Sequence, residues 1–243
     1  MLTLLSKEIN SFLNSLIGYV VIIVFLVAIG LFMWVFPGDS NVLDSGYASI
    51  NTLFIIAPWV FMFLVPAITM KLFSEEKRLG TMELLFTQPL SDMQIILAKY
   101  FAGLLLVLFS LLPTLVYFIS IYYLGNPVGN IDIGGTWGSY IGLFFLGAGF
   151  VSIGVFASSI TDNQIISFVV AIFLSFFFFT GFESLATLDL FYGVDSYLIK
   201  MGIQDHYVSM SRGVIDSRDI LYFISLVAGF ILLTRLVLSS RKW

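Results

Sequence analysis

The chain has 243 residues, 59% of them hydrophobic and 11% charged, with a formal net charge of −4, one histidine and no cysteine, and a mean hydropathy of +1.03. Soluble domains carry about a quarter charged residues, so this composition excludes an ordinary soluble domain and identifies an integral membrane protein. The missing cysteines remove disulfides, thiolate metal sites and thiol nucleophiles, one histidine makes no histidine-rich metal centre, and the mild charge gives no reason to expect nucleic acid as a partner.

A spanning helix needs about 20 mostly apolar residues, and six such runs take up more than half the chain. The expected fold is all-α and polytopic: one transmembrane domain over residues 1–243, six transmembrane helices and an N-terminal interfacial amphipathic helix. In residues 1–15, Leu2, Leu5, Ile9, Phe12, Leu13 and Leu16 recur at helical steps opposite Thr3, Lys7, Asn10 and Asn14, the pattern of a helix lying along the membrane surface. A cleaved signal peptide is the competing reading, but the following apolar run has the length of a true span and lacks a small-x-small cleavage site.

Span one is expected over about 16–36, stopped by Pro37-Gly38, and span two over 52–70 with Pro58 and Pro66 inside it. Span three covers 100–124 around Pro113 and ends at Gly125-Asn126-Pro127. Proline removes a backbone donor and crowds the preceding turn, which makes Pro58, Pro66 and Pro113 the kink candidates. Span four, 137–160, is rich in small residues, and Ala148 with Ser152, like Gly154 with Ser158, would let a helix of this chain or of a second copy approach closely. Only Thr161-Asp162-Asn163-Gln164 separates it from span five, 165–182, a tight hairpin whose Phe176–Phe179 run suits lipid or bundle contact. Residues 183–219 read as short amphipathic pieces, with Leu185, Leu188 and Tyr192 on one face and Tyr197, Leu198 and Met201 on another after Asp195-Ser196. Asp216, with Asp219 three positions on, places negative charge at the start of span six, 220–238.

Six spans put both termini on one side. Lys7, Lys71, Lys77, Arg78, Lys99, Arg235, Arg241 and Lys242, eight of eleven basic residues, fall at the ends or in the 71–99 loop, which makes that face cytoplasmic. Lys200, Arg212 and Arg218 lie in the 183–219 segment, and Asp39, Asp44, Asp132, Asp189 and Asp195 on the outer side do not bear on orientation. No ionisable residue stands clearly at the centre of a span, which disfavours a proton- or ion-coupled secondary transporter.

The 71–91 stretch is the polar segment that invites a function. Lys71–Arg78 continues span two, Gly80 can end it in a left-handed conformation, and Thr81 can cap a short helix with Met82, Leu85 and Phe86 as its apolar face. Pro89 stops that helix, and Ser91-x-x-Gln94 is a capping box leading to span three. A helix held between two stops could pass a push from a soluble partner into spans two and three; the plain alternative is a solvated loop with a charge cluster.

This order of acidic-basic cluster, Gly80-Thr81-x-Glu83-x-Leu85 and Pro89-Leu90-Ser91 resembles the loop between spans two and three of ABC-2 type transporter permeases. Asn14-Ser15-Leu16-Ile17-Gly18-Tyr19 before span one and residues 211–219 before span six are similar to the gliding-motility-associated permeases of Bacteroidetes-type bacteria and to copper-site maturation transporters. Many of those have Ser-Pro where Leu16-Ile17-Gly18 stands here. The resemblance implies a coupling helix that docks on an ATPase, carried by Glu75, Glu76, Lys77, Gly80, Thr81, Glu83, Leu84, Leu85, Pro89 and Ser91. It further implies an exporter of a bacterial inner membrane in which spans one, two and five line the route and dimer contact. The second permease subunit would be another copy or a related six-span chain with a soluble outer domain.

The chain has no Gly-x-x-x-x-Gly-Lys-Ser/Thr phosphate loop. It is therefore expected to be no enzyme and to hold no cofactor, with ATP and Mg on the partner ABC ATPase subunits. A hydrolase built on His206 with Asp205 is disfavoured, since a lone loop histidine is more often exposed or locally hydrogen-bonded. The competing functional class is a membrane anchor or force-transmitting scaffold driven by an ATPase.

Overall fold

The computed structural model describes residues 1–188, 195–213 and 215–240. Of the residues used above, Asp189, Tyr192, Val214, Arg241, Lys242 and Trp243 lie outside them. Among the described residues every regular element is helical. Five helical segments are long and apolar enough to cross a membrane, Asn51–Arg78, Asp92–Leu124, Ile133–Ile160, Gln164–Ala186 and Ser217–Ser239. A sixth span is formed if α1 (Leu2–Leu13) and α2 (Leu16–Trp34), bent by 63° from one another, count together.

The bend between α1 and α2 has a local cause. Ser15 is extended and its hydroxyl accepts from the Gly18 amide while donating to the Phe12 carbonyl, so it closes one helix and opens the next. Gly18 sits so close to the Phe12 carbonyl that a Cβ would lie 2.4 Å from the oxygen. The face that α1 buries is Leu4, Glu8 and Phe12, a stripe adjacent to the expected one, and Leu2 and Leu16 are exposed. A carboxylate in the middle of a buried stripe is what the apolar periodicity could not show.

The bundle is organised around α8 (Ile133–Ile160), which packs on α3 (Asn51–Thr69), α6 (Asp92–Leu111), α9 (Gln164–Phe176) and α13 (Ser217–Ser239). Of its most apolar window, 78% is buried inside the chain, against 22% in the segments that contain α9 and α13. Its small residues make this possible. A Cβ on Gly154 would stand 2.0 Å from Thr69 Oγ1 and one on Gly147 2.6 Å from Val107 Cγ1. The close neighbours are therefore helices of the same chain, α3 and α6, approaching through the notches that small residues leave. The hydroxyls buried at these crossings bond to their own helix: Thr69 to the Val65 carbonyl at 2.9 Å, Ser152 to Gly149 at 2.7 Å and Ser158 to Val155 at 2.9 Å.

The three prolines behave differently. Pro113 lies in a 3-10 turn, Leu112–Thr114, that joins α6 to α7 (Leu115–Leu124). Pro58 and Pro66 sit inside the continuous α3. Pro58 has no N–H for the Phe54 carbonyl one turn earlier, and the Tyr207 hydroxyl donates to that carbonyl at 2.7 Å. Tyr207 belongs to α12 (Ile203–Met210), which is reached from α9 through a π-turn, Phe177–Gly181, then α10 (Phe182–Ala186) and α11 (Asp195–Met201). Burial pushes the Tyr207 hydroxyl pKa up, so it stays a donor. In the aromatic run, Phe179 is buried against Trp59 and Phe150, whereas Phe176 is exposed.

At the start of α13, Asp216 caps by accepting from the Arg218 amide at 2.9 Å. Asp219 does not complete that cap. It is buried, and its Oδ1 lies 2.7 Å from His206 Nδ1, while His206 Nε2 lies 2.9 Å from the Lys200 carbonyl and the ring stacks on Tyr222. The histidine's carboxylate partner is Asp219 rather than Asp205, and both ring nitrogens are occupied by structural contacts that hold α11, α12 and α13 together.

Candidate functional site

After Met70 the backbone of α3 runs on into α4 (Lys71–Arg78), with Leu72, Phe73 and Ser74 buried. Its end is a Schellman motif: the Thr81 amide donates to the Glu76 carbonyl at 3.0 Å, the Gly80 amide to Lys77 at 3.1 Å, and Gly80 has φ +69°. Glycine takes that φ without strain, and the chain reverses here and starts α5 (Met82–Phe86). Thr81 stands at the N-cap but does not cap with its side chain; its φ/ψ are already helical, and its hydroxyl donates to the Glu76 carbonyl at 3.4 Å. Past Pro89, Ser91 and Gln94 form the capping box, Ser91 Oγ accepting from the Gln94 amide at 3.4 Å and Gln94 Oε1 from the Ser91 amide at 3.0 Å.

The short α5 has two faces. Met82 is buried, and Leu85 and Phe86 pack against the core. Glu83 and Leu84 point outward with Thr87, Gln88 and Pro89, and Leu84 is 65% exposed. Of the site residues expected from the sequence, Leu85 therefore belongs to the inner face and Leu84 to the outer one. Between α5 and the N-terminal part of α1 lies a groove of about 360 Å³, with Thr3, Leu4 and Lys7 on one wall and Leu84, Leu85 and Gln88 on the other.

Behind α5, a buried ion cluster ties three segments that are far apart in sequence. Lys99 is 1% exposed, and its Nζ lies 3.0 Å from Glu8 Oε1 on α1 and 3.0 Å from Glu76 Oε1 on α4. Lys7 reaches the same two oxygens at 3.7 and 3.5 Å from the exposed side. The four charges sum to zero, which a buried cluster requires if it is not to leave an uncompensated ion. The Lys99 ammonium also stands 5.2 Å from the Phe73 ring centroid, and the Lys71 ammonium 4.4 Å from that of Phe12. Lys77 donates to the Ser159 carbonyl near the end of α8. Glu75 lies beside Lys71 and the Glu8 side of this cluster.

By sequence Lys99 counts among the loop charges, but the Ser91 cap starts α6 two turns before it, so it is a helix residue pointing inward. Sequence reasoning missed Glu8, Lys7 and Lys99 as partners of Glu76. The one available signal was a glutamate whose flanks, Leu4 and Phe12, keep an apolar one-turn spacing. Pro58 and Pro113 belong to other parts of the bundle and do not join this site. The cluster ties α1, α4 and α6 to one another, and α5 lies on its outer side.

The family described as ABC-2 family transporter protein matches residues 2–192, a stretch that holds the ion cluster, α5, the bent α1–α2 pair and four of the five candidate spans. The chain belongs to this ABC-2 family. No curated protein matches it. As a member it is a membrane-embedded permease component of a transporter, and the family implies association with ABC ATPase subunits.

Proposed function

We propose that this permease is an exporter subunit of a bacterial inner membrane, with the α4–α5 end and both termini cytoplasmic, and that α5 is the coupling helix seated in a groove of the ATPase. The observation that carries this reading is the ion cluster behind α5: Glu76, next to the Schellman turn, is joined through Lys99 to α1 and α6. A load on Glu83, Leu84 and Gln88, the outward face, passes through that cluster into the spans instead of being absorbed by a loose loop. ATP and Mg reside on the ATPase pair, whose closure supplies the load. Charge supports the orientation, since Lys7, Lys71, Lys77, Arg78 and Lys99 gather at this end.

Transport, rather than scaffolding alone, is supported by an apolar groove of about 700 Å³ between α2, α3 and α9. Val24, Val60, Phe63 and Phe168 line it, and among the described residues no charged side chain does. These are spans one, two and five, so a second permease, another copy or a related chain with a soluble outer domain, would close the groove into a route. The motifs before spans one and six support service in a gliding-type system.

Coexpression with ATPase subunits tests the docking. Replacing Glu83 with Ala and Leu84 with Asp alters only exposed side chains and is expected to abolish copurification and stimulated ATP turnover. Unchanged copurification together with unchanged stimulation would sink the coupling-helix reading.

A further inference from the structure

At the end of the bundle opposite α5, the first turns of α3, the start of α8, and α12 enclose a pocket of about 380 Å³. Ile55, Trp59 and Phe179 form an apolar wall, and Asn51, Ser139, Gln204 and Ser211 a polar one. We propose that this pocket binds the head of an uncharged, hydroxyl-bearing amphiphile, such as a monoacylglycerol or alkyl glycoside, whose tail follows Trp59 into the apolar groove. The proposal rests on the transport reading and deepens it by naming a cargo class.

Hydrogen-bond accounting selects the head. The Tyr207 hydroxyl is occupied by the Phe54 carbonyl, the Ser211 hydroxyl donates to Val208 at 2.8 Å, and the Ser139 hydroxyl donates to Gly135 at 2.8 Å. Their hydrogens are taken, so the serines offer lone pairs. Asn51 and Gln204 line the same wall, and their amides carry both donors and an acceptor. A hydroxyl group, which both donates and accepts, matches this mixed lining. Among the described residues no lysine, arginine, aspartate or glutamate lines the pocket, so a phosphate or ammonium head would lose its hydration with no opposite charge to replace it. The tail assignment rests on continuity, because Trp59 lines both this pocket and the 700 Å³ groove.

Trp59 reports on the site in the full-length permease reconstituted in phosphatidylcholine without ATPase. The other tryptophans, Trp34, Trp137 and Trp243, are changed to Phe. Brominated monoacylglycerol is expected to quench Trp59 in excess of random lipid contact at a mole fraction where brominated phosphatidic acid of equal chain length does not. Gln204→Leu should raise the half-quenching mole fraction of the monoacylglycerol by roughly fivefold, the value of one hydrogen bond. Val208→Lys, which places a cation at the rim of the pocket, should shift the preference toward phosphatidic acid. Equal quenching by both lipids in all three proteins overturns the proposal, and so does displacement by free glucose as effectively as by octyl glucoside, which would assign the pocket to a soluble sugar. Because no ATPase is present, either failure leaves the docking result standing.

Discussion

Lys99→Met removes the ammonium placed 3.0 Å from both Glu8 and Glu76 and leaves two carboxylates facing each other, with side chains 10% and 15% exposed. Lys7 is still within 4 Å of both oxygens, but at 63% exposure its attraction is screened by water. Breaking a buried ion pair from one side costs about 3–5 kcal/mol, whereas replacing the whole group with neutral residues of similar volume is often neutral. The expected result in mixed-micelle equilibrium unfolding is therefore a loss of about 3–5 kcal/mol for Lys99→Met, with most of it regained when Glu8→Gln and Glu76→Gln are added. The triple variant would then be folded but held together at this end by packing alone, and ATP turnover stimulated through α5 should fall in it while docking persists. A single variant that costs under about 1 kcal/mol, the range of an exposed pair, would refute the reasoning, and so would a triple variant as unstable as the single one.

The bond between Tyr207 and the Phe54 carbonyl makes Tyr207→Phe destabilising by about 1–3 kcal/mol, the cost of a buried acceptor left open. Adding Pro58→Ala should restore much of that, because an alanine at this position supplies the missing N–H to the same carbonyl; additive losses in the double variant would show that the proline is not the reason for the bond. Gly154→Ala should cost about 1–3 kcal/mol by overpacking, since its Cβ would meet Thr69 Oγ1 at 2.0 Å. Thr69→Gly in the same protein should relieve the loss, measured by the same unfolding assay.

The fold was legible because lipid forces an unambiguous pattern. Long apolar runs punctuated by Pro37-Gly38, Gly125-Asn126-Pro127 and 161–164 leave few places for helices to end, and Gly80, Pro89 and Ser91-x-x-Gln94 announce their local geometry through backbone chemistry. What stayed hidden was every pairing across the sequence. Glu8 and Lys99 are 91 residues apart, and each looks like a surface charge when read alone. Tyr207 and Phe54 are 153 residues apart, so Pro58 reads as a kink rather than as an opening for a hydroxyl. Thr81 followed the rule for caps by type and position, but the Schellman turn had already set its backbone helical, which turns the hydroxyl back toward Glu76.

The two ends of the molecule are connected by a single piece of structure. Asn51–Arg78 is a 28-residue helical segment, about 42 Å long at 1.5 Å per residue. Glu76 and the ion cluster lie at one end, and Phe54, with Tyr207 bonded to it, lies at the other. Between them, Thr69 sits in the notch of Gly154, where a Cβ would stand 2.0 Å from its Oγ1. In the proposed coupling role, a displacement entering at α5 would pass through α4, because Glu76 on that helix is held by Lys99, which also holds Glu8. Such a displacement would act on the Asn51–Arg78 segment, whose opposite end is joined to α12 by the Tyr207–Phe54 bond. That end forms a wall of the pocket that contains Gln204, so the proposed coupling role of α5 would link a load there to the dimensions of the pocket.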